Sequence, residues 1–203
     1  MNEDLFLENL LKAHIYEDRI LHLLDAAELS NFFGYSLEFG VYKGRTLNCL
    51  SHAYPTEKFW GFDSFDGLPE PWYLSLDKAS VTPEKWFALD RIPEVPNTVK
   101  LEVGLFENTI PEWLRRYSGL VSFIHVDCDL YSSTKTILSL LNDRIVEDTV
   151  LVFDELVNTP ENEYENWREG EWKALNEWCD QYNREIEIHS KTTSCQVTVR
   201  VLR

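Results

Sequence analysis

Short apolar runs alternate with amphipathic segments along most of this 203-residue chain. Five runs predict strands, namely "YSLEFGV", "EKFWGFD", "NTVKLEVG", "VSFIHVD" and "DTVLVFDE". Apolar residues at helical spacing predict helices in "GRTLNCLSHAY", "ENTIPEWLRRY", "STKTILSLLNDRI" and a long stretch near 161–183. Two further strands, "EIEIHS" and "CQVTVRVLR", close the chain as a hairpin. Strands that alternate with helices predict an α/β protein whose parallel sheet is covered on both faces.

The two remaining stretches of the chain follow other patterns. Leucines and isoleucines at helical spacing predict a helix over residues 4–33. Residues 66–97 contain five prolines and show no periodicity, and so long an irregular loop is usually functional or mobile. We therefore expect an N-terminal helical segment at 1–35 and one domain at 36–203, with 66–97 as a candidate substrate lid.

Composition narrows the class of protein and of partner. Hydrophobic residues make up 44% of the chain, which is enough for a packed core, and the net charge is −16. So acidic a surface repels phosphate backbones, and we expect no nucleic acid partner. No run approaches the length of a membrane helix, and the N-terminus is acidic rather than basic, so we expect a cytoplasmic protein without membrane contact. The four cysteines lack metal-site spacing and are expected to be buried thiols.

An acidic residue lies at the end of every predicted parallel strand. These residues are Glu38, Asp63, Glu102, Asp127 and Asp154. In open α/β sheets, ligands bind beyond the carboxyl ends of the strands, near the point where the strand order reverses. The regular placement of the acids therefore predicts a ligand site at that edge of the sheet.

The turn "LEFGVYKGRT" follows the first of these strands. Gly40 and Gly44 suit a strand-to-helix turn that approaches a ligand, but Tyr42 and Arg45 stand where a dinucleotide fingerprint needs glycines. That mismatch argues against a nicotinamide-dependent oxidoreductase. Glu38 would attract a cationic ligand, and its spacing to the glycines is the E-x-G-x-x-x-G shape used for S-adenosylmethionine. A glycine turn needed only for tight packing is the alternative.

Asp63 and Glu102 each allow a ligand-binding role and a simpler structural one. Asp63, in "GFDSFDGLPE", is placed to accept hydrogen bonds from ribose hydroxyls, or to serve only as a turn or cap acid. Glu102 faces either the adenine side of a ligand or solvent.

The stretch "FIHVDCDLYSST" carries the most specific chemistry. Neighbouring strands lie about 4.8 Å apart, so Asp127, Asp154 and Glu155 are expected to converge and to share a proton or a cation. An all-oxygen cluster suits Mg²⁺, Mn²⁺ or Ca²⁺. Asp129 either joins that site or caps the helix that begins near Ser132. His125 is expected to be a hydrogen-bonded core histidine rather than a catalytic base.

Aromatic residues in the 66–97 segment and in the late helix each allow two interpretations. Trp72, Tyr73, Trp86 and Phe87 either line a lid over an acceptor or anchor the 66–97 segment to the body. Tryptophans of the late helix, Trp167 and Trp178 among them, suit core or dimer packing.

Taken together, the motifs resemble one family. "LEFGVYKGRTLN", "GFDSFDGLPE", "GLFENTIPEWL", "FIHVDCDLYSST" and "VFDEL" occur in the order found in the macrocin O-methyltransferase (TylF-type) family, over residues 37–157. The resemblance implies a Rossmann-like class I methyltransferase fold, with a mostly parallel seven-stranded sheet and a C-terminal antiparallel hairpin. It also implies S-adenosylmethionine and a divalent metal, usually Mg²⁺, as cofactors.

The resemblance assigns roles to individual residues. It implies cofactor binding by Glu38, Gly40, Tyr42, Gly44, Asp63, Ser64, Phe65, Gly104 and Phe106. It implies metal binding by Asp127, Asp154 and Glu155, with Asp127 also taking the proton of the acceptor hydroxyl. Family members often carry two aspartates where this chain has Asp154 and Glu155, and glutamate is one methylene longer.

The function expected from the sequence is transfer of a methyl group to a hydroxyl of a sugar or small natural product. Two alternatives remain: a catechol-type O-methyltransferase, and a non-catalytic module that binds S-adenosylmethionine or a partner protein. The expected partner is a small-molecule hydroxyl acceptor, and a homodimer is a further candidate because the first helix has a broad apolar face.

Overall fold

The computed structural model describes residues 2–161 and 164–203. Its strands are β1 (His14–Tyr16), β2 (Tyr35–Phe39), β3 (Phe59–Asp63), β4 (Val99–Val103), β5 (Val121–Val126), β6 (Ile145–Phe153), β7 (Ile186–Thr192) and β8 (Val197–Val201). They form one sheet in the order β1-β7-β8-β6-β5-β2-β3-β4. Strand β8 is antiparallel to both of its neighbours, and the other described pairings are parallel.

Helices cover both faces of this sheet. They are α1 (Glu3–Lys12), α2 (Arg19–Leu29), α3 (Arg45–Ala53), α4 (Phe106–Arg116), α5 (Tyr131–Leu141) and α6 (Glu171–Tyr182). Strand β5 is buried along its whole length, and its alternate side chains enter different halves of the core. Phe123 packs in the half that holds Leu47 of α3, and Ile124 packs in the half that holds Ile137 of α5. The predicted alternation of strands and helices and the closing hairpin are confirmed.

The N-terminal prediction of a single helix over 4–33 is wrong. Helix α1 ends at Lys12, β1 then pairs in parallel with β7, and α2 starts after Asp18. The Asp18 side chain accepts hydrogen bonds from the backbone N–H groups of Ile20 and Leu21, which caps α2. Strand β1 raises the number of strands from the predicted seven to eight. Helical spacing continues across both helices, so periodicity alone hides the break.

The late helix is shorter than predicted. Of the stretch 161–183, residues 162 and 163 lie outside the described residues, Trp167–Glu169 is a 3-10 turn, and α6 begins at Glu171. Gly170 separates the two, and a Cβ atom there would lie 2.1 Å from the Tyr164 hydroxyl oxygen. Trp167 and Trp178 are both buried, so core packing accounts for them.

Three other predictions concern the whole chain. Within 66–97 the structure has one isolated bridge, between Tyr73 and Val81, so the segment is irregular as predicted. The four cysteines are free thiols, three of them buried. In the described part of the chain, no helix has the length and apolar character needed to cross a membrane.

Candidate active site

The turn after β2 is held by a strand-end acid. The Asp63 carboxylate accepts hydrogen bonds from the N–H groups of Val41 and Tyr42, each at 2.8 Å, and from Phe65 N–H at 2.7 Å. Gly40 has a φ of +90°, which glycine adopts without strain. Asp63 therefore serves as an acid that stabilises the turn, and the same residue also lines the neighbouring cavity.

A cavity of about 520 Å³ lies at the carboxyl ends of the parallel strands. Of the residues predicted to bind the cofactor, it is lined by Gly40, Tyr42, Asp63, Ser64, Gly104 and Phe106. Glu38, Gly44 and Phe65 do not line it. Gly44 instead precedes α3 in a left-handed conformation, and Phe65 is buried in the core. The cavity volume lies within the range of about 300–1,000 Å³ that is typical of small-molecule sites.

Glu38 belongs to a buried polar chain below the cavity. Its Oε1 accepts a hydrogen bond from the Thr46 hydroxyl at 2.7 Å, and its Oε2 lies 2.9 Å from His125 Nδ1. The other ring nitrogen of His125 lies 3.0 Å from Asp154 Oδ1. Burial raises the pKa of Glu38 to about 8 and lowers the pKa of His125 to about 4. At neutral pH a protonated Glu38 therefore donates to His125, and neutral His125 donates through Nε2 to Asp154. The prediction of a core histidine is confirmed.

Asp127 and Asp154 share a cation from the chain itself. The Arg19 guanidinium donates to Asp154 Oδ2, and its Nη2 lies 3.4 Å from Asp127 Oδ2. Gln196 donates to the other oxygen of Asp154, which His125 also contacts. Asp154 is almost fully buried, whereas Asp127 and Arg19 line the cavity.

Three further acids, Asp129, Glu155 and Glu171, lie near Asp127. Glu155 N–H donates to Glu171 Oε2 at 3.0 Å, and Glu155 Oε2 is buried with no hydrogen-bond partner among the described residues. Burial and, to a smaller extent, the charge of Asp127 raise the pKa of Asp129 to about 8. Burial likewise raises the pKa of Glu155 and of Glu171 well above the ordinary value.

Asp129 is not the cap of the helix that follows it. Helix α5 begins at Tyr131, its N-cap residue is Leu130, and no side chain caps it. Asp129 has a left-handed backbone, with φ of +63°, and lines the cavity beside Asp127. The capping alternative is therefore wrong, and both acids of "VDCDLYSST" face the same space.

Comparison of the sequence with models of known protein families identifies the family of this chain. Residues 37–156 match the family model described as Methyltransferase domain, which spans more than half of the chain. The chain belongs to this methyltransferase family. Among curated proteins, none matches the sequence.

Solved structures share the fold of this methyltransferase at low identity. The calicheamicin methyltransferase CalS11 has a TM-score of 0.67 and 20% identity, over 89% of this chain and 77% of that one. The O-methyltransferase NovP has a TM-score of 0.61 and 19% identity, over 91% and 80%. An O-methyltransferase from Bacillus cereus, solved in complex with SAH, has a TM-score of 0.55 and 12% identity, over 100% and 93%. The expected Rossmann-like class I methyltransferase fold is thereby confirmed.

The three predicted metal ligands of the methyltransferase do not meet at one point. Asp154 has three donors on its two oxygens, one of them Arg19. Glu155 lines the cavity with Asp127, and its backbone N–H donates to Glu171. In the described ranges, the one group of three candidate ligands whose atoms lie within 4.8 Å of each other is His125, Asp127 and Asp154. Both ring nitrogens of His125 are already engaged by carboxylates. The predicted set therefore does not fit a divalent metal in this arrangement.

Three site residues escaped the sequence reasoning. Arg19, Glu171 and Gln196 lie in segments read only as helix or hairpin. Arg19 follows Asp18, which is a recognisable N-cap residue, and that signal could have placed Arg19 in the first turn of a helix. No sequence pattern indicates that Gln196 or Glu171 reaches the strand-end acids, because both contacts depend on tertiary packing.

The aromatic residues of the 66–97 segment divide between the two readings. Trp72 and Phe87 line the cavity, whereas Tyr73 and Trp86 do not. Trp72 also packs edge-on against Tyr164, with ring centroids 5.3 Å apart. The segment is thus both anchored to the body and part of the wall of the cavity.

Proposed function

We propose that this methyltransferase moves the methyl group of S-adenosylmethionine to a hydroxyl of a sugar or small natural product, as in the TylF-type family. One observation carries the proposal: the glycine turns of the predicted cofactor site and the acids Asp127 and Asp129 line the same cavity. A methyl donor and a proton acceptor are the two things that O-methylation requires.

The cofactor would lie along the ends of β2, β3 and β4. Backbone at Gly40 and Gly104 allows close approach, and Asp63 and Ser64 present polar atoms to the same wall. In this proposal Glu38 does not contact the cofactor but stabilises the structure below the cavity, since its carboxyl group is buried against Thr46 and His125. Phe87 and Tyr42 contact each other edge-on, with centroids 5.3 Å apart, and form an aromatic side of the cavity.

The acceptor would lie over the acids that follow β5. An alcohol is a poor nucleophile, so removal of its proton as the methyl group is transferred speeds the reaction. Asp127 is the proposed proton acceptor because its carboxylate lines the cavity and Arg19 fixes one of its oxygens. Burial raises the pKa of Asp127, which makes it a stronger base than an exposed aspartate. The remaining barrier is lowered by holding oxygen and methyl in line.

Metal dependence is not part of this mechanism. The resemblance implies a divalent metal, usually Mg²⁺, held by Asp127, Asp154 and Glu155, but the two oxygens of Asp154 already receive hydrogen bonds from Arg19, His125 and Gln196. We derive no step through a metal for that reason. A cytoplasmic location, the absence of membrane and nucleic acid partners, and a homodimer remain predictions from the sequence.

The proposal is tested in two stages. Isothermal titration with S-adenosylmethionine should show binding, and NAD should give none. A panel of nucleotide sugars, glycosides and catechols, assayed with the labelled methyl donor, then identifies the acceptor class. Binding of NAD alone, or methyl transfer only to catechols, would overturn the sugar or natural-product assignment.

A further inference from the structure

We propose that Arg19 supplies the positive charge shared by Asp127 and Asp154, in the position that the family resemblance assigns to a divalent metal. Arg19 is then a positioning residue, because it holds the proton-accepting carboxylate and does not touch the transferred methyl group. The role of Asp127 rests on the proposed function, whereas the contacts of Arg19 are independent of it.

One guanidinium reaches two carboxylates on neighbouring strands. Arg19 donates to Asp154 Oδ2, and its Nη2 lies 3.4 Å from Asp127 Oδ2. The Asp154 side chain is 2% exposed, and the Arg19 side chain is 46% exposed. The arginine therefore comes in from the cavity and neutralises a charge that is buried behind it. A planar guanidinium with several N–H donors suits two carboxylates better than an ammonium does.

Helix α2 is fixed so that Arg19 points at this site. Arg19 and His22 are three residues apart and therefore share a helix face. His22 is fully buried, with Nδ1 2.5 Å from Gln196 Oε1 and Nε2 3.0 Å from the Ser190 hydroxyl. The amide of Gln196 in turn donates to Asp154. The same polar network thus holds α2 against β7 and β8 and orients the carboxylate that receives Arg19.

A metal at this point would compete with the arginine. The oxygens of Asp154 already receive hydrogen bonds from His125, Gln196 and Arg19. The guanidinium is positively charged, so a divalent cation beside it would meet like-charge repulsion. Metal binding between Asp127 and Asp154 therefore requires Arg19 to leave. Removing its charge should create the metal site that the native chain lacks.

Mn²⁺ binding, followed through the electron paramagnetic resonance signal of the free ion, tests this inference without any methyl acceptor. Arg19→Met removes the charge and keeps an apolar stem, Arg19→Lys keeps the charge, and Arg115→Met removes an exposed arginine on α4 as the matched control. We expect Arg19→Met to bind Mn²⁺ at least about tenfold more tightly than the native chain. Arg19→Lys and Arg115→Met should bind as the native chain does. Adding Asp127→Asn to Arg19→Met should cancel the gain.

The native chain gives a second test that does not depend on the folding of any Arg19 variant. If it binds Mn²⁺ with a Kd below roughly 100 µM and Asp127→Asn abolishes that binding, the proposal is overturned. It is also overturned if a folded Arg19→Met variant gains no affinity. Binding of S-adenosylmethionine, measured separately by calorimetry, tests the proposed function. If the chain does not bind the cofactor but the Arg19 variants bind Mn²⁺ as expected, only the proposed function is overturned.

Kinetics separate positioning from a merely structural role. Once an acceptor is known, Arg19→Met should lower kcat by at least about tenfold while KM for the cofactor changes little, since Arg19 acts on the Asp127 carboxylate. Arg19→Lys should recover part of the loss. A rise in cofactor KM with kcat unchanged would overturn the positioning role.

Discussion

Gly40 and Asp127 lie so close that a Cβ atom on residue 40 would be 1.7 Å from the Asp127 carbonyl oxygen. The Asp127 N–H also donates to the Phe39 carbonyl at 2.8 Å. The Gly40 turn, which faces the predicted cofactor site, thus directly contacts the backbone of Asp127, the proposed proton acceptor. Their separation is set by two adjacent strands rather than by flexible loops.

Replacing Gly40 by alanine should therefore damage the site through the backbone. The added Cβ atom has no room, and the φ of +90° disfavours any residue with a side chain. We expect a loss of roughly 3–5 kcal/mol in the free energy of unfolding, or failure to fold, measured by urea denaturation.

Gly44→Ala is the matched control for this change. Gly44 also has a positive φ, of +73°, but its nearest neighbour would be Val95 Cγ1 at 3.4 Å, an ordinary contact. Only the conformational cost of about 1 kcal/mol should remain. Equal losses in the two variants would show that the contact with Asp127 is unimportant.

Asp127→Asn should remove the proton acceptor while keeping the size of the side chain. We expect kcat to fall by roughly 10²–10⁴-fold, which is the usual contribution of a general base. Binding of S-adenosylmethionine, followed by calorimetry, should survive. The control is Asp66→Asn, because Asp66 is exposed and lies outside the cavity lining. Full turnover in Asp127→Asn would rule out the role given to Asp127.

The sequence predicted the fold through signals that are local. Each of β2 to β6 is an apolar run ending near an acid or a glycine, and those runs keep their identity in any packing. The N-terminus was misjudged because β1 consists of three residues and is stabilised by pairing with β7, which lies about 175 positions later in the chain. A strand that short has no periodicity of its own.

The location of the site was predicted from the sequence, but the partner that each acidic side chain contacts was not. The strand-end acids do gather at one edge of the sheet, since parallel strands end there together. Which cation each acid meets was not predictable, because Arg19 arrives from a helix whose position depends on the buried contacts of His22. Glu155 does line the cavity with Asp127, whereas Asp154 is turned to its buried donors His125 and Gln196 and to Arg19.

Phe87 should matter for cofactor binding more than for stability. Its ring lines the cavity and packs edge-on against Tyr42, while the side chain stays 38% exposed. Loss of an aromatic contact of this kind is worth about 0.5–1.5 kcal/mol, so Phe87→Ala should weaken S-adenosylmethionine binding by up to roughly tenfold. Trp86→Ala is the control, since Trp86 is equally exposed and does not line the cavity. Equal effects in both variants would point to general disturbance of the 66–97 segment.

The buried pair of Glu38 and His125 should make stability depend on pH. Burial raises the pKa of Glu38 from 4.5 to about 8 and lowers the pKa of His125 from 6.5 to about 4. Between pH 4.5 and 6.5 the unfolded chain has a charged histidine and a charged glutamate, and the folded chain has both groups neutral. The two states then bind equal numbers of protons, so this pair gives no slope.

Above pH 6.5 the balance changes. The unfolded histidine has lost its proton, whereas folded Glu38 keeps one until about pH 8. The folded state therefore binds one more proton, and stability falls as pH rises through this window. A difference of 1.5 pH units corresponds to about 2 kcal/mol of unfolding free energy.

Glu38→Gln should remove this slope without disturbing the contacts. The amide oxygen can accept from the Thr46 hydroxyl and the amide nitrogen can donate to His125 Nδ1, which reproduces the bonds of a protonated Glu38. Urea denaturation at pH 6, 7, 8 and 9 should show the native chain losing about 2.7 kcal/mol more than the variant between the first and last values, because Glu38 alone keeps its proton in the folded state over the two units from pH 6 to about pH 8. Asp129, whose pKa is also raised to about 8, contributes to both proteins and cancels in the difference. Exposed Glu84→Gln should follow the native curve, and parallel curves for Glu38→Gln and the native chain would mean that Glu38 is already ionised at pH 6.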